Sequence, residues 1–149
     1  MAITDCVTYQ GIEPETCIFT PTGGSAVTFN LVTSISINPS LVLSQVKGDA
    51  DIYPRCNYVS AGSSSGSVAT TDIEQADVVS GVAGILVWDS KDKVSGTTVS
   101  YTVQDLTFSD SSLTFATESP TSEGLNFTCG STGNDGITNP VARTFTPAP

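Results

Sequence analysis

The chain has 149 residues, no histidine and only 13% charged residues, with fifteen Asp and Glu against five Lys and Arg for a net charge of −10. That length makes one domain, residues 1–149, which buries roughly 70% of the surface its unfolded form exposes, so disulfides are not obligatory. The scattered cations (Lys47, Arg55, Lys91, Lys93 and Arg143) exclude a protein that grips a nucleic-acid backbone, and the missing imidazole removes the usual general base of a nucleophilic enzyme.

Met1-Ala2-Ile3-Thr4-Asp5 has neither the basic nor the apolar segment of a secretory signal, and it reads as a native cytoplasmic start or a mature chain with an added Met. No stretch approaches the ~20 apolar residues of a transmembrane helix. Residues 1–15 read as a flexible N-terminal arm. From Ala26 to Ile37 a strand is predicted, with Val27, Phe29 and Leu31 at period two and the alternation resuming at Ile35 and Ile37. Asn38-Pro39-Ser40 reads as a turn, because Pro lacks the donor a ladder needs, and Leu41 to Val46 as the second strand of an antiparallel pair. Gly48 to Pro54 is turn-rich. Ala61-Gly62-Ser63-Ser64-Ser65-Gly66-Ser67 reads as a flexible loop by composition.

Thr71-Asp72-Ile73-Glu74 fits a capping box with Thr71 as N-cap, which predicts a helix of about two turns over 71–80 with Gly81 as C-cap. Ile73, Ala76 and Val79 lie on its apolar side and are expected to cover a sheet. Gly84 to Trp88 reads as a buried strand. Asp89 to Lys93 and Ser95-Gly96 read as a charged, solvated hairpin tip. Thr97 to Phe108 is the longest expected strand, and the phase slip between Val99-Tyr101-Val103 and Leu106-Phe108 places a bulge near Gln104-Asp105. Leu113 and Phe115 mark a short strand, as do Leu125, Phe127 and Cys129, with Cys129 on the buried face. Asn134-Asp135-Gly136 and Asn139-Pro140 are turns. Val141 to Phe145 is a last strand within a C-terminal tail, 141–149, that frays at Pro147-Ala148-Pro149. The sum is a mainly β chain: an antiparallel β-sandwich or partial barrel with one short helix.

No constellation in this order carries chemistry. Asp49-Ala50-Asp51 sets two carboxylates on one side of an extended segment, but a divalent cation needs several more oxygen ligands, and a backbone-bonded turn is the better reading. Gly133-Asn134-Asp135-Gly136 lacks the twelve-residue calcium-loop pattern. No Ser-x-x-Lys pattern exists to replace a histidine base. No catalytic, metal or cofactor residues are assigned. Trp88 sits in an apolar strand and reads as core. Asn126-Phe127-Thr128 is a glycosylation sequon with Asn126 on the face opposite Leu125 and Phe127. Cys6, Cys17, Cys56 and Cys129 form no CxxC pair, and either disulfides or buried free thiols suit their spacing.

The order of several pieces resembles the tail tube proteins of long-tailed, non-contractile (siphophage-like) bacteriophages. These are the strand Val32 to Ile37, the acidic turn Gly48-Asp49-Ala50-Asp51, the helix start Thr71-Asp72, and the glycine-led strand Gly81 to Trp88. Leu113-Thr114-Phe115, Leu125-Asn126-Phe127-Thr128, Gly136 and Asn139-Pro140-Val141 follow. The four cysteines depart from what that family leads one to expect. The resemblance implies homohexameric rings that stack into a helical tube, contacts with other tail proteins, and a virion location after assembly in the host cytoplasm. It also implies inter-ring contacts from Asp49–Ser67, Met1–Glu15 and Val141–Pro149. An acidic lumen conducts DNA without binding it, since each Lys or Arg on the wall would retard phosphate. The alternative reading is a secreted or cell-surface β-sandwich, namely an adhesin, a pilin-like subunit or a carbohydrate-binding module, in keeping with the Ser/Thr content, the sequon and the cysteines.

Overall fold

Two expected chain breaks are strand. The computed structural model describes residues 9–13, 15–130 and 139–149. Within them lie β1 (Tyr9–Gln10), β2 (Ile18–Pro21), β3 (Val27–Thr28), β4 (Val32–Val46), β5 (Cys56–Thr70), α1 (Ile73–Val79), β6 (Ala83–Asp92), β7 (Thr98–Thr114), β8 (Ser122–Cys129) and β9 (Val141–Thr146). The predicted turn at Asn38-Pro39-Ser40 is absent: β4 runs straight through Pro39, which pairs with Ser64. The predicted loop Ala61 to Ser67 is the middle of β5, held by β4 along its length and, from Ser64 onward, by β8 on the other side. Each correction has its own cause. β4 is the outermost strand, so the N–H that Pro39 lacks is not missed by any neighbour. The Ser/Gly run of β5 is fixed by two ladders of backbone bonds, which need no side-chain alternation. Leu113 likewise belongs to the end of β7 and not to a separate strand.

All strands pair antiparallel in one sheet of order β3-β2-β6-β7-β8-β5-β4, with β1 beside β6 and β9 beside β7. Its two ends, β3 and β4, do not meet, so the sheet is not closed into a barrel. The connection from β5 to β6 crosses β8 and β7, and α1 lies in that crossing. Ala76 and Val79 of α1 are buried in the core, while Ile73 is half-buried. The capping box is not formed. Asp72, not Thr71, is the N-cap, and no side chain caps the helix. The Thr71 hydroxyl donates instead to the Leu31 carbonyl, and the Asp72 carboxylate accepts from the Asn30 N–H. Ser80 is the C-cap, and Gly81, one residue later, donates its N–H to the Phe108 carbonyl at 3.0 Å.

The core faces one side of the sheet. Phe108 of β7 is its centre, edge-on to Phe19 of β2 at 5.0 Å and to Phe127 of β8 at 6.0 Å. Phe19 reaches Phe108 across β6 because the residue between them is Gly84. A Cβ there would lie 2.2 Å from the Thr20 carbonyl oxygen and 2.8 Å from the Phe19 ring. Gly66 does the same for Phe127, whose ring would stand 2.6 Å from an added Cβ. Each ring thus covers a backbone that has no side chain of its own. Gly84→Ala is expected to cost about 1–3 kcal/mol through overpacking, read as a lowered urea midpoint at unchanged m-value.

The expected bulge is present. Gly84 pairs with Leu106 and Leu86 with Val103, so Gln104 and Asp105 together oppose Ile85, and Asp105 takes φ 51°. The inserted residue flips the parity, which lets Val99, Val103, Leu106 and Phe108 all face the core. Trp88 is core as expected, stacked on Tyr101 at 5.3 Å. The charged hairpin tip is not wholly solvated. Asp92 is buried, and its carboxylate accepts the N–H groups of Val94 and Ser95, so it closes the turn from within.

Candidate assembly surface

β4 and β5 outrun the sheet that supports them. Among the described residues, β8 pairs with β5 only as far as Ser64 and β4 has no other neighbour, so residues 40–63 pair with each other alone. This arm extends roughly 20 Å along Leu41–Val46 before the turn at its tip. An isolated two-stranded ribbon is marginal in water, because neither face is packed. Here both faces are apolar. Leu41, Val42, Leu43, Val46, Tyr58 and Val59 are exposed on the strands, and Ile52 and Tyr53 at the tip are about four-fifths exposed (81% and 80%). The local sequence explains this. Leu41-Val42-Leu43 is a continuous apolar run, so a period-two strand must present hydrophobic groups on both sides.

The arm is also ordered from within. The Ser44 hydroxyl donates to Ser60 Oγ at 2.8 Å, and Ser60 donates on to the Val42 carbonyl at 3.2 Å. At the tip, Ala50 adopts φ 66° and Asp51 Oδ2 accepts from the Gly48 N–H and from Arg55 Nε, both at 2.6 Å. The Arg55 guanidinium, with the Gly48 N–H, holds the Asp51 carboxyl below its ordinary range. The Asp49-Ala50-Asp51 pair is thus a turn whose second carboxylate is committed to Arg55. Lys47, Asp49, Asp51 and Arg55 are the charged residues of the arm, so it is neutral in a chain whose net charge is −10. All the excess acid is carried elsewhere.

A groove of about 670 Å³ lies at the base of the arm. Leu41, Val59, Ala61, Cys129 and Pro140 supply apolar wall, and Ser64 lies in its lining. Ser64 is more than nine-tenths buried, and its Oγ has no hydrogen-bond partner among the described residues. No charged side chain lines the groove among the described residues. The outer edge of β4 is a second open feature, since no described strand lies beside it. Pro39 interrupts the donors along that edge.

The other residues singled out in the sequence fall elsewhere. Asp49–Ser67 is not one loop: it is the tip turn followed by most of β5. Asn126 is exposed on β8, as its parity predicts, and donates to Asp110 at 3.2 Å. Cys17, Cys56 and Cys129 are free thiols, and Cys6 lies outside the described residues. Burial raises the Cys17 thiol to about 12, and burial with the nearby Asp105 charge raises Cys129 to about 11, so little of either is thiolate at neutral pH and Cys129 gains reactivity as the pH rises. Asn134-Asp135-Gly136 lies outside the described residues. No helix among the described residues is long and apolar enough to cross a membrane. The sequence reading missed the arm because it placed a turn at Pro39. The signal that marks it is the run Leu41-Val42-Leu43, with Leu43 paired to Val59 and Tyr58 next to it opposite Ser44.

No protein-family profile matches this chain, and no curated protein matches it in sequence. Two solved structures share its fold. One is a chain from the tail of an empty gene transfer agent particle refined helically with C6 symmetry. It is 14% identical, with a TM-score of 0.51 over 89% of this chain and 96% of that one. The other is a chain from the virion of a native gene transfer agent particle, 12% identical, with a TM-score of 0.50 over 89% and 95%. The fold of this chain is therefore shared with a chain of a C6-symmetric tail and with a chain of a virion.

Proposed function

We propose that this chain is a structural subunit of a phage-like tail tube. Copies join into homohexameric rings, the rings stack into a helical tube, and other tail proteins close its ends. The observation that carries this reading is the neutral, two-faced apolar arm of residues 40–63 on an acidic body. Exposed apolar area of this extent marks a protein interface, and a ribbon unsupported on both faces gains its packing by lying on another subunit. Like-charged bodies repel, so a neutral arm is the part of the chain that can cross to a neighbour without that penalty. The fold shared with chains of a C6 tail and of a virion supports the same reading.

In this proposal the tip and β5 within Asp49–Ser67, together with residues 1–15 and 141–149, make the contacts between rings. The acidic wall lets DNA pass without specific binding, because few cations are present to hold phosphate. The protein works as a wall in the virion, assembled in the host cytoplasm, and not as an enzyme. With Cys17, Cys56 and Cys129 as thiols, the secreted reading loses the support it took from paired cysteines. Negative-stain electron microscopy of the purified full chain is expected to show rings or rods. A strictly monomeric species at high concentration overturns the proposal.

A further inference from the structure

We propose that the groove at the base of the arm is the receptor for the arm tip of a second copy, with Ile52 and Tyr53 as the inserted residues. The inference rests on the assembly reading above and names the two surfaces that meet. Three observations select this occupant. First, among the described residues the groove is lined by apolar and small polar groups and by no charged one, so an anionic or cationic ligand finds no counter-charge from them. The arm tip is the complementary surface on this chain: Ile52 and Tyr53 are exposed, and the arm around them is neutral overall.

Second, the Ser64 hydroxyl is buried without a partner among the described residues, an unmet hydrogen bond that destabilises the single copy unless something supplies it. Tyr has an apolar ring body and a phenolic O–H at its end. A Tyr inserted into this groove packs its ring on Leu41, Val59 and Pro140 and brings an O–H to the orphan oxygen. Third, groove and tip lie at opposite ends of the same ribbon, so tip-to-base contact is head-to-tail. Repeated from copy to copy, this contact gives a ring or an open filament, whereas reciprocal exchange of tips between two copies closes a two-fold dimer.

Cys129 lines the groove and serves as the reporter. In a background of Cys6→Ser and Cys56→Ser, Ile52→Cys leaves Tyr53 in place and sets a thiol at the tip. Treatment of the assembled protein with a short bismaleimide in mildly alkaline buffer is expected to give a ladder of covalent oligomers on a denaturing gel. The ladder disappears when Cys129→Ser is added. Tyr53→Phe and Ser64→Ala are each expected to raise the concentration at which assembly begins by about 2–10-fold, and together no further than either alone, because both remove the same hydrogen bond. Ser64→Ala leaves the melting temperature of the dilute monomer unchanged or higher, since it deletes an unpaired group. Rings or rods that form without a Cys129-dependent ladder overturn the groove assignment while leaving the tube reading intact. A chain that stays monomeric under all conditions overturns both.

Discussion

Replacing Leu41–Gly62 by Asn-Gly is expected to leave a folded monomer that no longer assembles at any accessible concentration. Ser40 and Ser63 are opposite each other in the ladder, so a two-residue turn joins them without changing the register of the sheet. None of the buried core residues lies in the excised segment. Val68, Leu125, Phe127 and the other core residues are carried by the sheet and by α1. The excised apolar side chains are exposed in the single copy, so their removal takes little from its stability. The melting temperature of the dilute protein is expected to stay within about 3 °C, which corresponds to roughly 1 kcal/mol for a domain of this size. Assembly, by contrast, loses its largest apolar surface. Light scattering after size-exclusion chromatography, with electron microscopy of the same fractions, reads the outcome. Rods from the shortened chain remove the arm from the assembly mechanism; an unfolded product means that the body depends on the arm, against the burial pattern.

Phe108→Ala is expected to destabilise the single copy by about 3–5 kcal/mol, the range for an aromatic ring removed from a packed core. The location argues for the upper part of that range. Phe108 is fully buried and touches both other rings, Phe19 and Phe127, so its loss leaves two edge-to-face contacts without a partner. The sheet cannot close over the gap by moving those rings inward, because each already lies over a glycine of a neighbouring strand. At about 2–4 °C per kcal/mol, the melting temperature falls by roughly 6–20 °C. The measurement belongs at low concentration, since association with other copies raises apparent stability. Phe115→Ala is the control. Phe115 is exposed at 74%, and its truncation is expected to stay within about 0.5 kcal/mol. Equal effects for the two positions contradict the core described here.

Period-two alternation is a local property, and wherever a strand has one wet and one dry face it was legible from residue types alone. Leu125 and Phe127 with Asn126 between them, Trp88 as core, the bulge at Gln104-Asp105 and the last strand at Val141 are of this kind. So is the mainly antiparallel β class, which follows from how often the pattern recurs. What the chain could not announce is which backbone groups meet a partner. Pro39 breaks a strand with neighbours on both sides and is harmless on an outermost one, and only the strand order makes β4 outermost. Ala61–Ser67 has loop composition, yet β4 pairs with all of it and β8 with its Ser64–Ser67 part. Thr71 has the sequence of an N-cap, but the carbonyl of Leu31, forty positions earlier, takes its hydroxyl. The groove, its orphan Ser64 and the unsupported arm share that origin. They arise because β8 ends at Cys129, opposite Ser64, while the β4–β5 ribbon continues, a difference in strand length among the described residues that appears only when residues far apart in the chain are laid side by side.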